Sequence, residues 1–281
     1  MKNFKLKAVA AAAILVVSAP ALAVIQGGDT GNGELLLNVR YYGGTSATSG
    51  GDDMSALFDL GMTLNDMVAK NGQAGYSKSW DLSTGAYGTA WDQIKSFAGP
   101  NASQLEFSVI ALDNPGHRYL TTGAVDTYPS LGNANLKGFQ NMEAYIIANQ
   151  ATNGASTATP TDAPNSFFGA INGFGQGDTW LTKTTVDTTQ PLGAEQHFWF
   201  LTTSSNASLA QANKTAFGVD LDGDGKVNAP NEFANFKMTD TGALTFANPS
   251  SVYPIPEADT WAMLLAGLSL LGVMVRRRTG V

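Results

Sequence analysis

The residues of this chain best suited to chemistry lie in one short stretch, 220–232. Aspartates stand at positions 220, 222 and 224, with Gly223 and Gly225 between and after them, followed by Lys226, Asn228, Pro230, Asn231 and Glu232. Carboxylates at alternate positions of a segment that glycine allows to turn tightly converge on one point, and a hard divalent cation is what such a point suits. Counting Asp220 as the first position, Asp222 is third, Asp224 fifth and Gly225 sixth. The Lys226 carbonyl is then available at the seventh position and Asn228 at the ninth. A twelfth-position carboxylate would complete the set, but Asn231 stands there and Glu232 comes one place later. The alternative is a solvated Asp-Gly turn joining two strands.

The loop resembles those of EF-hand and dockerin-type calcium sites, and the resemblance implies one bound calcium with a structural role. Glu232 closes such a site only if the loop is widened by one residue. Otherwise coordination drops, and affinity falls toward the weak extracellular range of about 10⁻⁴ to 10⁻³ M.

Other constellations are sparse. With no cysteine in the chain, neither disulfides nor thiol catalysis can operate. His117 and His197 are the only histidines; the first sits in a predicted turn and the second in a Phe/Trp-rich strand, where packing is the ordinary role. No nucleophile elbow, zinc-protease helix or phosphate-binding loop is present. Gly173, Gly175 and Gly177 read as a glycine-rich turn, and Asp52 with Asp53 as a loop rather than a catalytic pair.

The two ends carry addresses. Residues 1–23 have the form of a secretory signal peptide: Lys2, Lys5 and Lys7 precede an apolar run, and Ala21 and Ala23 mark a small-residue cleavage site. At the other end, Pro256 and Glu257 precede an apolar run that begins beside Trp261 and ends at Arg276, Arg277 and Arg278. That run of about 16 residues makes a helix of roughly 24 Å, a marginal span for a hydrocarbon core of ~30 Å. Tryptophan at one interface and snorkelling arginines at the other anchor it, with the arginines cytoplasmic. These residues resemble the PEP-CTERM sorting signal of Gram-negative bacteria, departing from it at Ala258, where a second proline is usual. The resemblance implies export, transient inner-membrane anchoring by a transmembrane helix, and processing near Pro256 by an exosortase. Such signals are attached to many unrelated domains, so this one supplies a destination and no activity.

Composition bounds the middle. The whole chain carries −7; without the three lysines of the leader, and the three arginines and two acids from Pro254 onward, 10 basic residues face 21 acidic ones, a net −11. Such a domain makes a poor partner for nucleic acid or anionic lipid. Glycine supplies 31 of 281 residues and charged residues only 14%, a mix typical of turn-rich β proteins. The organisation expected is therefore 1–23 as signal peptide, 24–250 as one exported domain, and 251–281 as sorting signal with a transmembrane helix.

Patterning makes that domain mainly β, a sandwich-like antiparallel fold with a few short helices. Strands are expected at 34–42, 56–60, 104–113, 118–122, 195–202, 216–219, 233–238 and 243–246, with Asn114 to Gly116 and Thr241-Gly242 as hairpin turns. Helices are expected at 64–70 capped by Thr63, at 90–98 capped by Thr89, and at 136–149; residues 150–164 read as a loop. Asp59-Leu60-Gly61, and the run Arg118 to Thr122, resemble a group of proteins carrying the same sorting signal, a resemblance that implies no activity.

Two classes of function remain. The first is a non-enzymatic envelope or exopolysaccharide-matrix protein, with Trp80, Trp91, Trp180 and Trp199 as candidates for stacking on glycans and Trp91 and Trp199 more suited to the core. The second is a secreted hydrolase using paired carboxylates, and behind both stands ice binding, whose mark is a flat threonine surface.

Overall fold

Period-two apolar patterning becomes one antiparallel sheet. The computed structural model describes residues 25–28, 30–41, 54–123, 166–168, 189–203, 213–250 and 268. The leader, Asp52, Asp53, the predicted helix at 136–149, the loop at 150–164, Gly173 to Gly177, Trp180 and almost all of the sorting segment lie outside them.

The strands are β1 (Glu34–Tyr41), β2 (Met54–Thr63), β3 (Ser77–Asp81), β4 (Glu106–Asp113), β5 (Arg118–Gly123), β6 (Ser166–Phe168), β7 (Gln190–Pro191), β8 (Glu195–Thr202), β9 (Asn213–Ala216), β10 (Asn235–Met238) and β11 (Ala243–Ala247). Their order is β3-β11-β10-β8-β5-β4-β1-β2-β6, with β7 beside β4 and β9 beside β8. Among the described residues the helices are α1 (Leu64–Val68) and α2 (Gly85–Ala98), followed by a 3-10 turn at Gly99–Gln104.

The sheet is curled rather than split in two. Trp80 on β3, at one end of the strand order, donates its indole N–H to the Leu60 carbonyl on β2, near the other end, at 2.8 Å. Its ring stacks on Phe236, which meets Phe198 and Phe246 in turn. The inward row of Leu35, Leu37, Val39, Phe107, Val109 and Ala111 is wholly buried, as period-two alternation requires. Helix α2 lies against β1, β2 and β6 with Tyr87, Ala90, Trp91 and Ile94 inward. The Tyr87 hydroxyl donates to the Asp59 carbonyl at 2.5 Å, and burial raises its pKa, keeping that proton in place.

Several boundaries differ from the sequence reading. Helix α1 ends at Val68, two residues short of the expected 70, but Thr63 caps it: its hydroxyl accepts from the Asp66 amide while the Asp66 carboxylate accepts from the Thr63 amide. Helix α2 begins at Gly85 rather than 90, with Thr84 in place of Thr89 as the N-cap, because the first turn is needed to bury Tyr87. The strand expected at 216–219 is displaced to Asn213–Ala216, and Gly218 instead forms an isolated bridge with Phe233. Strand β3 was not expected at all, since four of its five residues are polar.

The other face of the central strands is buried as well. Asn38 and Arg40 on β1, which simple alternation would leave wet, are 0% and 4% exposed. Arg40 is held by Glu106 and by the Thr189 hydroxyl, so its charge is paired.

Candidate metal centre and sorting segment

The acidic loop leaves the sheet after β9 and returns at β10. Its root is closed by backbone bonds: Val219 donates to the Glu232 carbonyl at 2.9 Å and Ala234 to the Phe217 carbonyl at 2.8 Å. Gly218 sits so close there that a Cβ would lie 1.9 Å from the Glu232 carbonyl oxygen. Only glycine fits.

Within the loop each aspartate folds the chain around itself. Asp220 accepts from the Gly223 and Gly225 amides at 2.7 and 2.8 Å, Asp222 from Asp224 at 3.0 Å, and Asp224 from Lys226 at 2.8 Å. Gly223 and Gly225 adopt φ of +80° and +84°, a left-handed conformation that costs other residues ~1 kcal/mol or more. The outcome is convergence: Asp220, Asp222 and Asp224 each place one carboxylate oxygen within 4.8 Å of the others, all three side chains being exposed. Asn228 donates its amide to Asp224 at 2.9 Å, which leaves its side-chain oxygen free. Lys226 and Asn231 are exposed.

Glu232 takes a different part. One of its oxygens accepts from the amides of Leu221 and Asp222 at 3.0 and 3.3 Å, and the other from Asn228 and Ala229 at 2.9 and 3.0 Å. Those four donors fill the lone pairs in the carboxylate plane. In this geometry Glu232 ties the start of the loop to its end and is not free to close a cation site. Its side chain is 1% exposed, sealed by the loop's own backbone rather than by the core. The Ala229 and Asn228 amides, with those of Leu221 and Asp222, hold its pKa at about 2 against burial, which pushes the other way. A carboxylate four residues after a proposed ninth ligand reads as a ligand; nothing in the sequence marks it as an amide acceptor.

Of the remaining candidates, His197, Trp91 and Trp80 are packed. His197 is 3% exposed, its ring stacked on Phe233 at 4.1 Å and 7°. His117 occupies the turn between β4 and β5 with φ of +51°. Trp91 is buried as the sequence reading favoured and Trp80 is buried too, but Trp199, which that reading also placed in the core, is partly exposed beside Phe233.

Comparison with known families finds the PEP-CTERM protein-sorting motif at residues 254–278. The chain thus carries the signal of an exosortase substrate near its C-terminus, and the motif implies export and processing at the membrane. Pro256, Glu257, Trp261 and the three arginines from Arg276 all fall inside the matched range, outside the described residues. Among the described residues no helix is long and apolar enough to cross a membrane. No curated protein and no solved structure was found to match the chain.

Proposed function

We propose that this chain is a non-enzymatic protein of the cell envelope or exopolysaccharide matrix, delivered by an exosortase and stabilised by one calcium ion. The observation that carries the reading is the sorting motif at residues 254–278. A leader-like N-terminus and an acidic, cysteine-free body agree with an exported destination. The packing of His197 into the core, with His117 half-buried in a turn, supports a binding or structural role.

Before processing, the body stands on the periplasmic side of the inner membrane, held by the apolar run and stopped by Arg276, Arg277 and Arg278. Afterwards it is released to the surface or matrix, where Trp199 is the described tryptophan that is not fully buried. Calcium sits on Asp220, Asp222 and Asp224, joined by the Lys226 carbonyl, the Asn228 side-chain oxygen and water. The site rests on the spacing of the three aspartates along a glycine turn, whose carboxylates converge. Bound calcium would neutralise their mutual repulsion and stiffen the connection into β10.

Intact-mass measurement of the exported protein tests the delivery half. In a host with an exosortase the mature chain ends near Pro256, whereas in a host lacking one it retains the full tail in the membrane fraction. Recovery of protein still carrying Arg278 from the exosortase-positive host would overturn it.

A further inference from the structure

The last strand of the sheet is followed within a few residues of chain by the sorting segment, and the chain is pinned until shortly before that segment begins. Asn248, 5% exposed, donates its side-chain amide to the carbonyls of Lys70 at 2.7 Å and Gln73 at 2.9 Å. Its backbone amide donates to Tyr76, and Gly75 donates to the Pro249 carbonyl, each at 2.8 Å. Between that carbonyl and Pro256 stand only residues 250–255, six in all. Six residues reach at most about 20–22 Å when fully extended. A compact body of ~150 residues, the scale of the described part, has a radius of gyration of ~15 Å and so is more than ~30 Å across. The tether is shorter than the body it holds.

We infer that the loop 69–76, together with the exit segment 248–250, is the surface on which the folded body docks against the membrane-embedded enzyme that cuts beside Pro256. The inference rests on the chain being that enzyme's substrate, and it adds which face the substrate presents. A body that cannot swing clear of its recognition site must meet the enzyme with the end from which the tether leaves. The chemistry of that end suits a protein partner. Asn71, Gln73, Ala74 and Ser250 are exposed and uncharged. Lys70 and Lys78 are the nearby cations, each laid over an aromatic ring, and Asp66 offsets them. Recruitment to anionic headgroups takes a cluster of about four or more basic residues, so two partly neutralised lysines favour a hydrogen-bonding protein rim over lipid. Docking and motif recognition then share one short linker, and each raises the effective concentration of the other.

Pulse-chase conversion of the full chain, in a host with the exosortase, tests this. A twelve-residue Gly/Ser insert between Ser250 and Ser251 triples the tether, and the −3/2 power dependence on linker length slows cutting by about fivefold. At the native tether length, Ala74→Glu and Ala74→Arg each slow cutting; on the lengthened tether neither changes the rate further. A lengthened chain cut at the native rate or faster overturns the docking surface. Slower cutting with Ala74→Glu and faster cutting with Ala74→Arg also overturns it, since opposite responses to charge mark a lipid surface. If the unaltered chain is never cut in that host, the substrate reading falls and takes this inference with it.

Discussion

Glu232 shows how far a side chain's part can depart from its residue type. Its folded pKa of about 2 lies below the ordinary 4.5, so the stability it contributes is fully present above about pH 4.5 and is lost as pH falls through about 2. Glu232→Gln is expected to lower the thermal midpoint at pH 7, with the gap to the native protein closing as pH approaches 2; a gap that persists at pH 2 would show that charge on Glu232 is not what holds the loop. The aspartates answer to a different variable. With affinity of about 10⁻⁴ to 10⁻³ M, calcium at about 10 mM stabilises by about 1.4 to 2.7 kcal/mol, a shift of several degrees in the midpoint of a domain this size. Asp222→Ala should abolish the difference between calcium and chelator, and an unchanged midpoint in both proteins would leave the loop an acidic turn. The three aspartates were legible from spacing because alternate positions on a glycine turn converge locally. Glu232 was not, because its partners are amides whose direction depends on how the root of the loop closes.

At the scale of elements, the sheet owes its curl to contacts between strands far apart in its order. Trp80 joins β3 to β2, stacks on Phe236 and is almost wholly covered. Trp80→Phe keeps the ring and removes the indole donor, for an expected loss of about 1 kcal/mol, whereas Trp80→Ala leaves a cavity worth about 3–5 kcal/mol. Chemical denaturation distinguishes the two, and equal losses would mean that the hydrogen bond to Leu60 carries the contact. Strands β1, β4 and β11 could be read from the sequence because their inward apolar positions alternate, and β8 from its unbroken run of aromatic and apolar residues. Strand β3 could not: Ser77, Lys78, Ser79 and Asp81 surround one tryptophan, and only pairing with β11 makes a strand of them. Helix α2 likewise outgrew its periodic core because Tyr87 found an acceptor on β2.

For the whole molecule, delivery and fold are governed by separate parts of the chain. On the proposed anchoring, neutralising Arg276, Arg277 and Arg278 takes away the charges that would keep the tail's end on the cytoplasmic side, so the expected result is loss of the membrane-held precursor without change in the body's unfolding midpoint. Fractionation with immunodetection checks it, and a precursor retained at the native level would show that the apolar run alone stops transfer. The sequence by itself determined the sorting motif and the export it implies, because such a signal is a short local string with its own charges and apolar length. It also determined the β class, because period-two burial is a local rule, and the carboxylates of the acidic loop, because their convergence needs only a few bonds of glycine turn. Tertiary structure alone decided the single curled sheet in place of two, the burial of Asn38 and Arg40, the capture of Glu232 by four amides, and the pinning of Asn248 just ahead of the tether. Each of these joins groups through space whose separation along the chain places them beyond any local pattern.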